Sequence, residues 1–398
     1  MLARISAIQK HIPPKEAWLV SNQAHIEYLT GFVSLLPTER EGFLWLTSEH
    51  ATLIHASFSP APTEPSITYL TGCYASQLVQ HINTLLGQEY VEQIVIDGTT
   101  LWHDEYRALV EATQQFKTAS NANSRDTRQP VRIVEQKKHE LSGAGSGDSG
   151  EAFDHILSAR MHKDGLEIKA IHAASIVAAE AVQRIQERLQ PGMTEQLVCQ
   201  ELETSMRSLG STAPAFPTIV AFGKNTALPH HQPTETVLEE NMAVLIDCGA
   251  TVDRYRSDMT RSWWFGSNQS KPAEYQEIES SVLDSYQAGI DVLKKHFSIN
   301  ELTLLNAEAS PSPENSNTSN LTAAMLDSTC RKGIQQAGYG AQFIHTTGHG
   351  VGLDIHEGPS ISGSNNEKLD SGMIITVEPG IYLTGSFGFR YENTIHLV

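Results

Sequence analysis

The chain has 398 residues, with 28 Lys+Arg against 46 Asp+Glu and a formal net charge of −18. This balance argues against a nucleic-acid or anionic-membrane partner, because phosphate binding needs clustered Lys and Arg. With 40 % hydrophobic and 19 % charged residues, the chain reads as globular. It is long enough for two domains and a large core that needs no disulfides.

The first third alternates short apolar strands with turns and helices. Ala17–Val20, Gly42–Leu46 and Ala51–Ile54 read as buried strands, Gln77–Leu86 as an amphipathic helix, and Gln93–Gly98 as a strand ending in a turn. That order predicts a small α/β domain over 1–135. Cys73, Cys199, Cys248 and Cys330 are scattered, with no C-x-x-C spacing, which fits reduced thiols. The N-terminus lacks the apolar core of a signal peptide, and no run approaches the roughly 18 apolar residues of a membrane span. A cytoplasmic protein is therefore expected.

Thr118–Arg128 is polar, and Ser142–Gly150 is built almost wholly from Ser and Gly. The pattern predicts a linker over 136–158 and a second domain over 159–398. Asp164 with Glu167 three residues on forms a capping-box signal, and an apolar stripe follows until Pro191-Gly192. Thr194 caps a second helix running to about Leu209. Further helices are expected from Ala273 to His296 and from Leu321 to Gln336, separated by a Ser/Asn/Pro-rich surface insertion over 307–320.

The strands between these helices carry the unusual chemistry. Ala243–Ile246 runs into Asp247, and Asp258 follows eleven residues later. A hairpin turning near Val252-Asp253 would set the two carboxylates opposite each other on one face. Met373–Val377 runs into Glu378, with Glu392 fourteen residues on and Gly385 at the midpoint, so this pair faces in the same way. Like charges directly opposite are destabilising, so two such hairpins call for a cation or a shared proton.

Nitrogen donors lie in His345–Glu357, where Gly348, Gly350 and Gly352 surround His349, and His356 lies seven residues beyond it. Glycines there permit close backbone approach. Four carboxylates are neutralised by two divalent ions. Four oxygen donors with one imidazole form a hard set, favouring Mn²⁺, Co²⁺ or Fe²⁺ over cysteine-rich zinc chemistry. So little nitrogen leaves room for water, which reads as a catalytic site.

Asp247, Asp258, His349, Glu378 and Glu392, in the settings Ile246-Asp247-Cys248-Gly249-Ala250, Ser257-Asp258-Met259-Thr260-Arg261, Gly348-His349-Gly350 and Val377-Glu378-Pro379-Gly380, resemble the metallopeptidases of the pita-bread fold. Ala227-Leu228-Pro229-His230 and His356-Glu357-Gly358-Pro359 add to the likeness, which is nearest to Xaa-Pro dipeptidases (prolidases) and Xaa-Pro aminopeptidases. Asn22–Phe32 looks like the creatinase-type N-terminal domain, and Arg160–Ile168 like the start of the catalytic domain. Methionine aminopeptidases share the ligand set without this N-terminal domain. Creatinase has both domains without the metal cluster.

The resemblance implies an α/β (α+β) fold: a creatinase-like α/β domain, then a pita-bread catalytic domain with pseudo-twofold αβ halves. It implies two divalent ions on the five ligands, Mn²⁺ first, with Asp258 and Glu392 bridging. Water or hydroxide between them would attack the carbonyl before proline, with Glu378 as proton shuttle. His230 and His356 would bind the substrate and polarise the oxyanion, and Arg390 would lie beside the substrate and orient the carboxylates. A homodimer acting on proline-containing peptides is implied, and the alternative is a non-catalytic peptide-binding module on the same fold. Three features depart from the family. The chain stops six residues after Glu392, where relatives continue further, and its 142–150 and 307–320 stretches are long.

Overall fold

The computed structural model describes residues 2–36, 38–122, 130–136, 152–303 and 318–398. Its chain divides into two units, with the described residues up to Ala159 in the first and those from Arg160 in the second. Most of the expected 136–158 linker, and residues 307–317 of the expected insertion, lie outside the described residues.

The first unit is built on a six-stranded sheet, in the order Thr68–Thr71, Ala51–His55, Gly42–Leu46, Glu16–Val20, Gln93–Asp97 and Arg132–Gln136. Its four central strands are largely buried, whereas the edge strands Thr68–Thr71 and Arg132–Gln136 are partly exposed. Ala17 and Leu19 pack with helices Ala75–Gln88 and His103–Ala122 through Leu78, Ile82 and Leu109. Alternation sends Trp18 and Val20 to the opposite face, where they are also buried. The polar stretch from Thr118 does not break the pattern at once, because its first residues complete the helix ending at Ala122.

The second unit repeats one scheme, two helices laid on a sheet. Gly165–Arg188 and Glu195–Ser208 share a core with strands Ile219–Phe222 and Met242–Cys248 through Ala178, Val182, Leu202, Val244 and Ile246. Ala273–His296 and Ala323–Gln336 do the same with Ile374–Val377 and Asn393–Leu397 through Leu293, Leu326, Ile375 and Ile395. Three of these four helix starts carry a side-chain cap. Asp164 accepts from the N–H of Leu166 and Glu167 while Glu167 reaches back, Thr194 caps Leu197, and Thr322 caps Met325. The last helix therefore starts at Ala323. Thr318–Thr322, the last residues of the expected insertion and the first of the expected helix, instead forms a strand against Lys368–Asp370. Among the described residues no helix is long and apolar enough to cross a membrane.

Candidate metal centre

In strand Met242–Cys248 the even positions Val244, Ile246 and Cys248 face the helices, so Asp247 points to the opposite face. The chain reverses at Asp253-Arg254, both with positive φ (46° and 72°), after Val252 pairs with Tyr255. This two-residue turn has the backbone of the hairpin turns that follow strand twist. It pairs Asp247 with Thr260, not with Asp258 as the sequence suggested. The expected turn was one residue early because Arg254 gives no signal for a left-handed position. A slip of two residues preserves the face, so Asp258 still shares it with Asp247, diagonally rather than directly. The strands come close here at Gly249, where a Cβ would lie 1.9 Å from the Ser257 carbonyl oxygen.

The C-terminal hairpin has the expected register. Val377 pairs with Asn393 and Gly380 with Arg390, around a turn in which Gly385 has φ 80°. That register sets Glu378 opposite Glu392 at the break between the two ladders. Their own backbone N–H groups go elsewhere, Glu378 to the Thr347 carbonyl (2.8 Å) and Glu392 to that of Thr260 (3.2 Å). The second of these links the two hairpins.

His349 enters from Gly348–Gly350, a strand hydrogen-bonded to both Glu357–Ile361 and Ile374–Val377. Neighbouring backbone leaves no room for side chains beside it. A Cβ on Gly348 or Gly350 would lie 2.0 Å from the carbonyl oxygen of Thr376 or Gly358. His349 Nδ1 donates to the Gly350 carbonyl at 3.0 Å, leaving the Nε2 lone pair to face the carboxylates. Nε2 is 3.5 Å from Asp258 Oδ2 and 3.4 Å from Glu378 Oε1. One ligand atom from each of Asp258, His349 and Glu392 lies within 4.8 Å of the others.

Burial raises the carboxyls of Asp247, Asp258 and Glu392 above their ordinary range, and neighbouring carboxylates raise them further. Asp247 is partly relieved by Arg390, whose Nη2 lies 2.6 Å from Oδ2, but Oδ1 has no partner. Glu392 Oε2 accepts from the Thr260 hydroxyl (2.7 Å), and Oε1 likewise has none. An unpartnered buried carboxylate oxygen is costly. Donors held about 2.0–2.2 Å from one ion sit roughly 3–3.5 Å from each other, which is the spacing of His349 Nε2 from its two carboxylate neighbours. The residues fit divalent ions.

Residues 169–308 and 315–398 match the model of metallopeptidase family M24. The chain belongs to that family. It is 36 % identical over 242 residues to an Xaa-Pro dipeptidase of Pyrococcus furiosus, covering 61 % of this chain and 62 % of the relative. It is 34 % identical over 246 residues to an Xaa-Pro dipeptidase of Lactobacillus delbrueckii, covering 62 % of this chain and 60 % of the relative. The chain thus spans about three fifths of the length of these curated relatives. A solved Xaa-Pro dipeptidase structure from Bacillus anthracis superposes with a TM-score of 0.76 at 25 % identity, covering 100 % of this chain and 95 % of that one. Such likeness supports the pita-bread architecture that the motifs imply.

Around the five expected ligands, this M24 chain adds groups that the sequence left in the background. Arg390 donates through Nε to Thr260 Oγ1 (2.9 Å) and through Nη1 to the Tyr382 hydroxyl (2.7 Å), besides its bond to Asp247. Tyr382 in turn donates to His345 Nε2 (2.9 Å), since His345 Nδ1 is committed to the Thr346 carbonyl. Burial pushes the Tyr382 hydroxyl up to about 12, so it stays protonated. Thr260 carried no signal of its own, because it depended on the hairpin register. His356 stacks edge-on against His349, with ring centroids 4.3 Å apart. Burial lowers its pKa, and the charges of His349 and His230 lower it further. His230 lies exposed on the loop after Gly223–Ala227. Next to His356, buried Glu357 accepts from Lys163 Nζ (2.7 Å) and Arg160 Nη2 (2.6 Å). The Arg160–Ile168 and His356–Pro359 motifs are thereby joined, a contact that no local spacing announces.

Proposed function

We propose that the protein hydrolyses the peptide bond preceding proline, with an Xaa-Pro dipeptide as its basic substrate. Two divalent ions would be held by Asp247, Asp258, His349, Glu378 and Glu392. The observation that carries this reading is the convergence of Asp258, His349 and Glu392 ligand atoms within 4.8 Å, beside buried carboxylate oxygens that lack partners. The names of the related Xaa-Pro dipeptidases support the substrate class. Bound Mn²⁺, with Co²⁺ or Fe²⁺ as alternatives, would supply Lewis acidity and make water a nucleophile near neutral pH.

The chain's own residues do the rest. Glu378 is the least buried of the four carboxylates and stands 3.4 Å from His349 Nε2. It takes the proton of the attacking water and returns it to the departing proline nitrogen. His356 and His230 donate toward the carbonyl oxygen as negative charge builds there. Arg390 holds Asp247 in place directly and Glu392 through Thr260. Proline has no N–H, so peptidases that bind that group as a strand donor lose a contact, whereas this arrangement does without it. The four free cysteines, three of them buried, suit a reducing compartment such as the cytoplasm.

The test is turnover of Xaa-Pro dipeptides by chelated protein, with and without added Mn²⁺. Hydrolysis only with Mn²⁺ is expected, and faster on Xaa-Pro than on Xaa-Pro-Yaa-Zaa. Tetrapeptide preference would make it an aminopeptidase instead. No hydrolysis of either peptide would return the site to peptide binding without catalysis.

A further inference from the structure

The loop that carries His230 is tied to one buried carboxylate. Glu195 opens helix Glu195–Ser208 and is wholly shielded from solvent. Its Oε1 accepts from the backbone N–H of Phe222 (2.8 Å) and from Asn225 Nδ2 (2.9 Å). Oε2 accepts from the backbone N–H (2.9 Å) and hydroxyl (2.7 Å) of Thr234 and from His231 Nε2 (2.8 Å). These donors grip the 222–234 excursion at its start, its middle and its end. On the C-terminal hairpin, Gly388 donates to Thr226 Oγ1 at 2.8 Å. Only a glycine fits there, because a Cβ would lie 2.3 Å from the Thr226 carbonyl oxygen.

Within this clamp, His231 turns inward and is buried, while its neighbour His230 is exposed. The Gly388–Thr226 bond ties the loop that bears His230 to the hairpin that carries Arg390. A surface loop needs no buried carboxylate to stay folded, and burying an ionised one is costly unless every lone pair is met. Here the donors outweigh the cost. Burial alone would raise the Glu195 carboxyl, but the hydrogen bonds from Thr234, Asn225 and His231 hold it below its ordinary range. The fully satisfied site fixes the inward ring of His231, and through one peptide unit it limits where the outward ring of His230 can go.

We propose that Glu195, acting through His231, is a positioning residue that sets His230 against the reacting peptide; this rests on the peptidase reading above. His231 thereby has a role in holding its neighbour.

The test is a double-mutant cycle on the Mn²⁺-loaded full chain with Ala-Pro as substrate, comparing wild type, Glu195→Gln, His230→Ala and the double variant. Glu195→Gln keeps the shape but turns an amide N–H₂ toward donors. It should lower kcat by roughly 10–100-fold, as is typical for residues that orient an active group, with bound manganese and KM nearly unchanged. In the His230→Ala background the same substitution should cost nothing further, since both changes remove one contribution. His231→Asn, which can still present an N–H, should retain more activity than His231→Ala. If Glu195→Gln does not fold, as judged by circular dichroism, His231→Ala takes its place in the cycle. An equal loss in both backgrounds means a purely structural role and overturns the proposal. An unchanged rate for His230→Ala removes the role of His230 and the proposal with it. A wild type inactive on Ala-Pro with Mn²⁺ fells the peptidase reading first, and this proposal with it.

Discussion

Two groups of buried carboxylates in the second unit have opposite electrostatic fates. Glu195 and Glu357 are buried yet held below the ordinary carboxylate range, Glu195 by five hydrogen-bond donors and Glu357 by Lys163 and Arg160. Asp247, Asp258 and Glu392 are also buried but raised, by burial first and then by neighbouring carboxylates, with Arg390 offsetting only part of it. Burial opposes ionisation in both groups, and the partners decide whether that penalty is met. The first group is complete without any ligand and anchors the loops bearing His230 and His356. The second carries unpartnered oxygens on Asp247 and Glu392, which a divalent cation would satisfy.

The largest expected effect breaks the second group. Asp258→Asn should lower kcat/KM by more than about a thousandfold, because it removes a ligand oxygen and not a group that orients one, for which 10–100-fold is typical. Manganese content measured by atomic emission should fall by one ion per chain. Unchanged activity would sink the ligand assignment. Without metal, the same variant should melt higher than wild type, since it removes one of the mutually repelling charges.

Breaking the first group acts on stability instead. Glu357→Gln leaves Arg160 and Lys163 facing a neutral amide in a dry setting, and losing one partner of a buried ion pair costs about 3–5 kcal/mol. Urea unfolding of the metal-loaded protein measures it. A loss below about 1 kcal/mol, the scale of an exposed pair, would contradict the buried geometry.

Metal addition sharpens the contrast. Mn²⁺ at a hundred times its Kd should stabilise the chelated wild type by about 2.7 kcal/mol per site. Asp258→Asn should forfeit part of this shift and Glu357→Gln should keep it. An equal shift in all three proteins would place the metal elsewhere.

The smallest effect is in the pH profile. Native Glu195 and Glu357 bind fewer protons than in the unfolded chain, so their stabilisation is complete above the ordinary value of 4.5 and is lost as pH falls through their depressed native values. Asp258 and Glu392 run the other way. Without metal they bind more protons when folded, so stability declines as pH rises from the ordinary carboxylate range through their raised values. The chelated protein should therefore be most stable on the acid side, and Mn²⁺ should abolish the decline at higher pH. Thermal melts across pH 4–8, with and without Mn²⁺, would show either this crossing or its absence.

Much of this molecule was legible before its structure. Continuous apolar runs located strand Gly42–Leu46 and, but for the turn residue Gly98, strand Gln93–Asp97, and helix Ala273–His296 begins and ends where its pattern does. Capping chemistry at Asp164 and Thr194 marked helix starts, because those signals are local. Gly385 at the centre of a symmetric hairpin placed Glu378 opposite Glu392. Strand parity put Asp247 and Asp258 on one face even though their register was read two residues out.

What the tertiary structure decided is which distant groups meet. The turn at Asp253-Arg254 takes left-handed backbone that Arg254 does not advertise, so only the packed sheet revealed Thr260 opposite Asp247. Glu195 lies 36 positions from His231, and Lys163 lies 194 from Glu357, so no periodicity links either pair. Sequence patterns report what a residue does to its own turn of helix or strand. The balance between a satisfied and an unsatisfied buried charge depends on atoms brought from elsewhere in the chain, and folding alone supplies them.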